Sequence, residues 1–402
     1  MLKETDFELT KETKNLNIQG TLKLFHVVKI PLDELKYNRL NDRIATWISE
    51  YENEHGDGEF PEDQEEFNSI IEDFIYNSNT KQLNKTKTSI KNFDQMEAAV
   101  VLSNGIIVDG NRRFTALRKL SRDGEGQRFN YLKAVIIPNE QYTSKEIKTM
   151  ELNLQHAKEN PVDYDPIDNL VGIYRELVGP DKQYNPKEYA HEVDEKESVI
   201  KKYMAVSQLM VDYLEYIHRP KQFYIARQQK LDGPLNEVYR ILKSKKIDPE
   251  DLNDVKDVLF ASMLVLDGDV TRRVRDLKGV VENKDSLDSL MDDIDEDLDR
   301  VEDSFDDADE EINESNEKEI KKTVEIPDDI RKSLNDKVEN QINRKRIDDA
   351  QNVPIAKLNQ SFNYISDVNP SAVSRMNEKD IDTIKKLLNQ IDQQVKAIKE
   401  VL

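Results

Sequence analysis

The sequence predicts an α+β N-terminal domain followed by mostly α-helical middle and C-terminal regions. Two observations support this fold class. Short runs rich in β-branched residues, each ended by turn residues or proline, occur before residue 140. Beyond Ser144 apolar residues recur at helical spacing, and prolines punctuate the segments as they do at helix starts and stops.

Four strand-like segments belong to the predicted α+β domain. Residues 21–30 alternate in part and end at Pro31, 98–102 and 106–108 flank a tight turn, and 131–137 end at Pro138. Apolar residues at 67–75 share one helical face, whereas the basic, Asn/Thr/Ser-rich stretch 81–91 is predicted to be a loop. Further helices are predicted at 112–120, 144–157, 166–178, 186–217, 233–244 and 249–266.

Five regions follow from these patterns. We predict a polar N-terminal segment (1–19), a ligand-binding domain (20–178), a helical domain (180–280), an acidic amphipathic helix or arm (284–320) and a helical C-terminal region (321–402). Apolar residues of 294–312 and 381–402 follow alternating spacings of three and four, a heptad pattern over about three heptads. These helices are predicted to pair with each other, to form a homodimer or to bind a partner protein, or else to be ordinary amphipathic helices.

Composition excludes several classes of function. The chain has no cysteine, which removes disulfides, thiolate metal sites and cysteine nucleophiles. No apolar run approaches a membrane span and the N-terminus lacks the apolar region of a signal peptide, so we expect a cytoplasmic protein without membrane contact. The five histidines lack metal-ligand spacing, so no metal site is predicted.

The net charge of −22 is unevenly distributed. Residues 285–311 contain fifteen acidic residues and one basic residue, whereas 219–246 carry a local balance of +6. Because nucleic-acid binding requires a positive surface, the second stretch leaves DNA binding open despite the overall charge.

The most informative string is Asp109-Gly110-Asn111-Arg112-Arg113, which follows a strand and opens a helix. Backbone N–H groups at a helix start attract phosphate, glycine permits close approach, and arginine grips phosphate oxygens in a bidentate way. One arginine is expected to pair with Asp109 and fix the turn. The alternative is a simple capped turn with surface arginines.

A second string, Glu151-Leu152-Asn153-Leu154-Gln155-His156, lies about forty residues downstream. Together the two strings resemble the ParB/sulfiredoxin superfamily, in which a Gly-Glu-Arg-Arg turn and a later Glu-Asn-x-Gln-Arg helix face one pocket. Gly110, Arg112 and Arg113 match the turn, with Asn111 replacing its glutamate, and Asn153 and Gln155 match the helix. The resemblance implies a bound CTP or ATP, with Mg²⁺ as a further expectation.

Departures from the family pattern refine this expectation. Leu152 occupies the position at which the family motif has an acidic residue, and His156 replaces its arginine. Loss of the carboxylate weakens a site for a hard metal ion such as Mg²⁺. Nucleotide binding is therefore favoured over hydrolysis. The sulfiredoxin activity is excluded because it requires a cysteine. Arg43, in a loosely matching upstream segment, is a candidate ligand contact.

ParB proteins carry a helix-turn-helix DNA reader after this domain. Tyr189, Ala190, Val193, Ile200 and Tyr203 fit its apolar positions, although Asp194 replaces the turn glycine; a plain helical linker is the alternative. The residues predicted to contact DNA are Ser198, Lys201, Lys202, Arg219 and Arg227.

Three functions therefore stay open. The first is a ParB-like nucleotide-binding, DNA-associated switch acting in partition, regulation or defence. The second is a ParB-like nuclease or NTPase, for which Asp109 and Glu151 are the catalytic candidates. The third is a scaffold that acts through its heptad helices as a homodimer or with a partner protein.

Overall fold

The computed structural model describes residues 1–18, 20–156, 165–265, 268–314 and 326–402. The chain divides into two compact units, Met1–Val338 and Glu339–Leu402. The first contains a mixed β-sheet followed by helices, as the sequence predicts, and the second is helical. None of the described helices is long and apolar enough to cross a membrane.

The sheet comprises five strands among the described residues, in the spatial order β1-β2-β5-β3-β4. Neighbouring strands are antiparallel except β3 and β5, which run parallel with Val100 opposite Val135. The predicted 98–108 hairpin is confirmed as the β3–β4 pair. The strands are β1 (Glu8–Ile18), β2 (Thr21–Pro31), β3 (Ala99–Leu102), β4 (Ile107–Asp109) and β5 (Tyr131–Ile137).

Strand β1 corrects the prediction that 1–19 is only a polar segment. It is an edge strand that pairs with β2 from Glu8 opposite Lys29 to Ile18 opposite Thr21. Only Leu16 and Ile18 on this strand are buried, so most of its side chains face solvent and are polar. An edge strand with one short buried end gives little alternation for a pattern search to find.

Helices make up most of the remaining described residues, and several of them meet around the site. They are α1 (Ala45–His55), α2 (Gln64–Ser78), α3 (Thr80–Phe93), α4 (Asn111–Arg122), α5 (Ser144–His156), α6 (Pro166–Ile173), α7 (Pro186–Glu192), α8 (Glu197–Tyr216), α9 (Phe223–Gln228), α10 (Asp232–Leu242), α11 (Leu252–Val265), α12 (Val270–Val281), α13 (Lys284–Glu314), α14 (Asp328–Ser366), α15 (Pro370–Val373) and α16 (Glu378–Lys399).

Both faces of the sheet are covered. Val28 and Val101 pack with residues of α1, α2 and α4, whereas their neighbours Val27 and Val100 pack on the opposite face with Met150 of α5. This division follows from the two-residue period of a strand, which sends successive side chains to opposite faces. The sheet is therefore the middle layer between helices, and α4 and α5 lie on its opposite sides.

Helix α3 corrects the predicted loop at 81–91. Leu83 and Ile90, seven residues apart, are both buried and anchor one face of the helix. The Asn79 side chain accepts a hydrogen bond from the Gln82 backbone N–H at 3.0 Å and caps the helix start. Two apolar contacts and a cap thus hold a segment whose Asn, Thr and Ser content favours a loop.

The region predicted as one helix over 186–217 is two helices, α7 and α8. Asp194 lies between them with φ +53°, the left-handed conformation for which glycine is the usual residue in a tight turn. Tyr189, Ala190, Val193 and Ile200 are buried in one apolar cluster. Four of the five apolar positions expected for a helix-turn-helix are therefore buried, Tyr203 packs half-buried against them, and an aspartate lies in the turn.

The two heptad patterns have different surroundings. In α13, Ile294, Val301 and Phe305 are buried within the first unit, which corrects the expectation that this seam is available to a homodimer or a partner protein. Residues 308 and 312 of the seam, and 315–320 of the predicted arm, lie outside the part whose side chains are described. In α16, by contrast, no residue is buried.

Candidate ligand-binding cavity

A cavity of about 470 Å³ lies where strand β4 ends and helix α4 begins. Its walls come from the turn at Asn41–Ile44, from α2 and α3, and from the 109–113 string. All five residues of that string line it, and so do Arg43 and Gln155. The structure thus brings together seven of the eight predicted ligand residues, and Asn153 is the exception.

Gly110 is required by the turn itself. Its φ is +112°, and a Cβ at this position would lie 2.7 Å from the Cβ of Ala99 on the neighbouring strand and 3.2 Å from the Arg113 guanidinium. Packing of the turn thus requires glycine here, a reason that adds to the expected close approach of a ligand. The turn could not pack against β3 with any side chain here.

Arg113 holds the turn together. Its Nη2 donates to the Asp109 carboxylate at 2.7 Å, and its Nη1 donates to Glu97. The prediction that one arginine pairs with Asp109 is therefore confirmed, and that arginine is Arg113. Since two carboxylates already engage its guanidinium, we assign Arg113 mainly to positioning.

Arg112 has a different environment. No hydrogen bond or ion pair to its guanidinium is present among the described residues, although it lies on the cavity wall. Burial, together with repulsion from Arg43 and Arg113, lowers its pKa to about 10, and Asp109 opposes this shift only in part. Arg112 is thus a charged donor in a locally positive environment, which an anion would relieve.

The start of helix α4 adds backbone donors. Gly110 occupies the N-cap position and has no side chain with which to cap the helix. Asp109, the residue that would cap the helix in the alternative interpretation, pairs with Arg113. The first N–H groups of α4 and the positive end of its dipole lie at this end of the helix, which contains Arg112.

Three polar atoms of cavity-lining residues are buried without a hydrogen-bond partner in the described part of the chain. They are Asn111 Oδ1, Arg113 Nε and Gln155 Oε1. An unsatisfied buried polar atom is rare in folded proteins and costs about 1 to 3 kcal/mol. Two acceptors and one donor thus remain for a ligand or ordered water to satisfy.

Helix α3 supplies cavity residues that the sequence reading missed. Gln82, Lys85, Thr86 and Ser89 form a polar stripe along the cavity. Their spacing of three or four residues is the available signal, and it is meaningful only once the segment is read as a helix. The stripe adds one ammonium group and several hydroxyl and amide groups to the wall.

A buried ionic cluster adjoins the cavity at Asp42, the neighbour of Arg43. Lys148 Nζ donates to Asp42, and it lies 3.3 Å from Glu151 Oε2. Arg175, in a π-helical turn that follows α6, reaches Asp42 at 3.2 Å. Asp42, Lys148 and Glu151 are nearly inaccessible to solvent, so the cluster is an internal part of the fold.

The pKa values of the two carboxyl groups in this cluster shift in opposite directions. Burial favours a higher pKa for Asp42, but Lys148 and Arg175 outweigh it and hold the pKa below its ordinary value. For Glu151, burial dominates and raises the pKa. The carboxylate proposed from sequence as catalytic is thus enclosed, and it accepts a hydrogen bond from Gln155 at 3.1 Å.

Asn153 and Leu152 connect α5 to the later helices. Asn153 Nδ2 donates to Glu192 of α7 at 3.2 Å instead of lining the cavity. Leu152 is buried in the apolar cluster that contains Tyr189 and Ile200. The position at which the family carries an acidic residue is therefore a packing position here.

The predicted DNA contacts divide into two groups. Ser198 and Lys201 are exposed on α8 and Lys202 is half-buried, with Lys201 paired to Glu197 at 2.7 Å. Arg219 is only 1% exposed, and Arg227 stacks on Trp47 and pairs with Glu50, so their positions argue against DNA contact. Part of the positive charge of the 219–246 stretch is therefore carried by side chains that lie inside the protein or pair within it.

No group of three or more His, Asp or Glu residues is placed to share a metal ion in the described ranges. The two carboxylates nearest the motif are engaged by basic side chains, Asp109 by Arg113 and Glu151 by Lys148. Comparison of the chain with protein-family models, with curated proteins and with solved structures gives no match.

Proposed function

We propose that the cavity binds the phosphates of a nucleoside triphosphate, CTP or ATP, and that the chain is a ParB-like, DNA-associated switch protein. The observation that carries the proposal is Arg112, a guanidinium on the cavity wall at the start of helix α4. Its lowered pKa reflects burial and neighbouring positive charge, both of which a phosphate group would offset.

The cavity also suits the remainder of a nucleotide. A volume of about 470 Å³ falls in the range of small-molecule pockets. Ile44, Ile75 and Ile90 provide apolar wall for a base, and the polar stripe of α3 provides hydrogen-bonding groups for a sugar or base edge. The unsatisfied atoms of Asn111 and Gln155 are acceptors, which suits hydroxyl or amino donors of the ligand.

The switch part of the proposal rests on helix α5. Gln155 lines the cavity, Glu151 belongs to the buried ionic cluster, and Asn153 bonds to α7, the first helix of the candidate DNA reader. A ligand that moves Gln155 would therefore act on one end of a helix whose other contacts reach α7. We propose that nucleotide occupancy changes how α7 and α8 are presented to DNA.

The geometry favours binding over catalysis. Asp109 and Glu151, the candidates for a nuclease or NTPase, are held by basic side chains, and Glu151 is enclosed. Any Mg²⁺ would enter with the phosphates of the nucleotide, which is the usual way this ion binds beside triphosphates.

The test is calorimetric titration of CTP and ATP, each with Mg²⁺, into the full chain. Arg112→Ala should weaken binding by about tenfold to a hundredfold, since a charge-assisted hydrogen bond contributes roughly 1.5 to 3 kcal/mol. Arg112→Lys keeps the charge but loses the fork geometry and should fall between wild type and alanine.

Arg128→Ala is the matched control, because Arg128 is exposed outside the cavity and donates to the Lys91 carbonyl. It should bind nucleotide as the wild type does. Absence of saturable binding for both nucleotides would overturn the proposal, and so would equal affinity of the Arg112→Ala and Arg128→Ala variants.

A further inference from the structure

The apolar seam of α16 contains no buried residue, although Ile381, Ile384 and Ile398 are half-buried. It is formed by Ile381, Ile384, Leu388, Ile391, Val395 and Ile398, whereas Leu402 of the predicted seam lies beyond the end of the helix at Lys399. Leu388 is 52% exposed and Val395 39%. An amphipathic helix in water is marginal without a surface on which to bury its apolar stripe. In the α13 seam, which alternates in the same way, Ile294, Val301 and Phe305 are buried.

Charge indicates what kind of surface could cover α16. The unit Glu339–Leu402 contains ten basic and nine acidic residues, a net charge of +1, so the rest of the chain carries −23. Two acidic bodies repel each other at long range. The C-terminal unit is the part of this chain that a second copy can approach without such repulsion.

The positions flanking the seam specify an orientation. With Ile381 as heptad position a, the e positions include Glu378, Lys385, Asp392 and Lys399. In an antiparallel pair, e residues of one helix lie against e residues of the other. Glu378 then lies beside the second copy's Lys399, and Lys385 beside its Asp392, so every such pair is attractive.

The parallel arrangement is less complementary. Position g then lies beside e of the other helix, and the g residues are Asp380, Leu387 and Gln394. Only Asp380 would meet an opposite charge, Lys385. Lys385 is largely exposed and lies 3.7 Å from Asp382 of its own helix, so it remains accessible to a second chain.

We propose that α16 mediates homodimerisation through an antiparallel pairing with α16 of a second copy. The seam supplies the apolar contact, and the e positions fix the direction. This inference stands apart from the nucleotide proposal, since it uses no residue of the cavity.

The first test measures the mass of the full chain by sedimentation equilibrium. The wild type should approach twice 46.8 kDa as concentration rises. Ile384→Glu/Ile391→Glu should shift the protein to monomer, raising the dimer dissociation constant by at least a hundredfold. Thr383→Glu/Gln390→Glu places the same charges on the exposed opposite face of the helix and should stay dimeric. A monomer at every concentration, or equal behaviour of the two double variants, would overturn the proposal.

The second test reads the direction of pairing. Lys385→Glu should weaken the dimer because the new carboxylate would face Asp392 of the second copy, a like-charge pair. Adding Asp392→Lys should restore it if the helices are antiparallel. In a parallel pair the same addition would face Leu387 and restore nothing, and that outcome would overturn the antiparallel arrangement. Circular dichroism of each variant confirms that its helices remain folded.

Discussion

The ligand cavity and the buried ionic cluster beside it use the same kinds of side chain in opposite ways. In the cluster, Asp42, Lys148 and Arg175 are partners of one another. In the cavity, Arg112 faces other arginines and lacks a carboxylate contact among the described residues. The chain thus pairs the charges of the cluster with one another, whereas the Arg112 guanidinium has no hydrogen bond or ion pair among the described residues. Charge that is fully compensated serves the fold, whereas uncompensated charge next to a cavity indicates binding.

The largest effect should come from breaking the cluster. Lys148→Met removes the cation that the buried carboxylates of Asp42 and Glu151 share and leaves only Arg175 beside Asp42, which should lower the free energy of unfolding by about 3 to 5 kcal/mol. Lys145→Met on the same helix removes an exposed pair with Glu188 and should cost about 0 to 1 kcal/mol. Urea denaturation measures both, and similar losses would contradict the division between cluster and surface.

Asp168 differs from the carboxylates of the cluster. It is a buried carboxyl that accepts a hydrogen bond from the Thr46 backbone N–H at 2.8 Å. Burial raises its pKa from 3.8 to about 7. The folded state thus retains this proton at a higher pH than the unfolded state. Its contribution to stability is fully present below about pH 4 and is lost as pH rises through about 7.

Asp168→Asn should therefore flatten the fall in unfolding free energy over this interval, by on the order of 3 to 4 kcal/mol at most. Denaturation series at several pH values test this, with exposed Asp181→Asn as the control. If the wild type and Asp168→Asn keep parallel pH profiles, the raised pKa is refuted.

Gly110 and Gly124 allow the turn that supports the cavity to be tested. Both have positive φ, but a Cβ at Gly110 would clash with Ala99, whereas nothing lies within 4 Å of one at Gly124. Gly110→Ala should destabilise the fold by about 2 to 4 kcal/mol, since strain and overpacking add, and Gly124→Ala by about 1 kcal/mol. Thermal melts compare them, and equal losses would show that packing against Ala99 is unimportant.

The smallest expected change in the free energy of unfolding comes from Arg112, and its neighbour Arg113 provides the contrast. Arg112→Ala should change the free energy of unfolding by less than about 0.5 kcal/mol, because it removes a charge that neighbouring arginines repel. Arg113→Ala should cost about 1 to 3 kcal/mol, because it leaves Asp109 and Glu97 without this partner. A reversed order would mean that Arg112 serves the fold and Arg113 the ligand.

Features determined by neighbouring residues could be predicted from the sequence, whereas features determined by distant contacts could not. The turn at 109–113 and the pairing of one arginine with Asp109 were predictable because strand, glycine and helix start are adjacent in sequence. Helix α3 was missed because two buried contacts, Leu83 and Ile90, outweigh its loop-like composition. Tertiary packing overrides local propensity in such cases.

Other predictions were wrong because an apolar or charged pattern does not show which part of the protein contacts it. The α13 and α16 seams have the same spacing, and only the structure shows that α13 is covered by its own unit. Likewise, a count of basic residues over 219–246 could not tell that Arg219 is internal. Periodicity and charge identify surfaces that need a partner, but burial depends on contacts far apart in the chain.

The contact between Arg227 and Trp47 has a spectroscopic consequence. Trp47 is the single tryptophan of the chain, lies four residues after Arg43, and has the Arg227 guanidinium 3.9 Å above its ring. Its fluorescence therefore reports on one defined junction between α1 and α9, close to the turn that carries Arg43 to the cavity. Ligand that displaces this turn is expected to alter the emission, so the unlabelled protein contains its own optical probe.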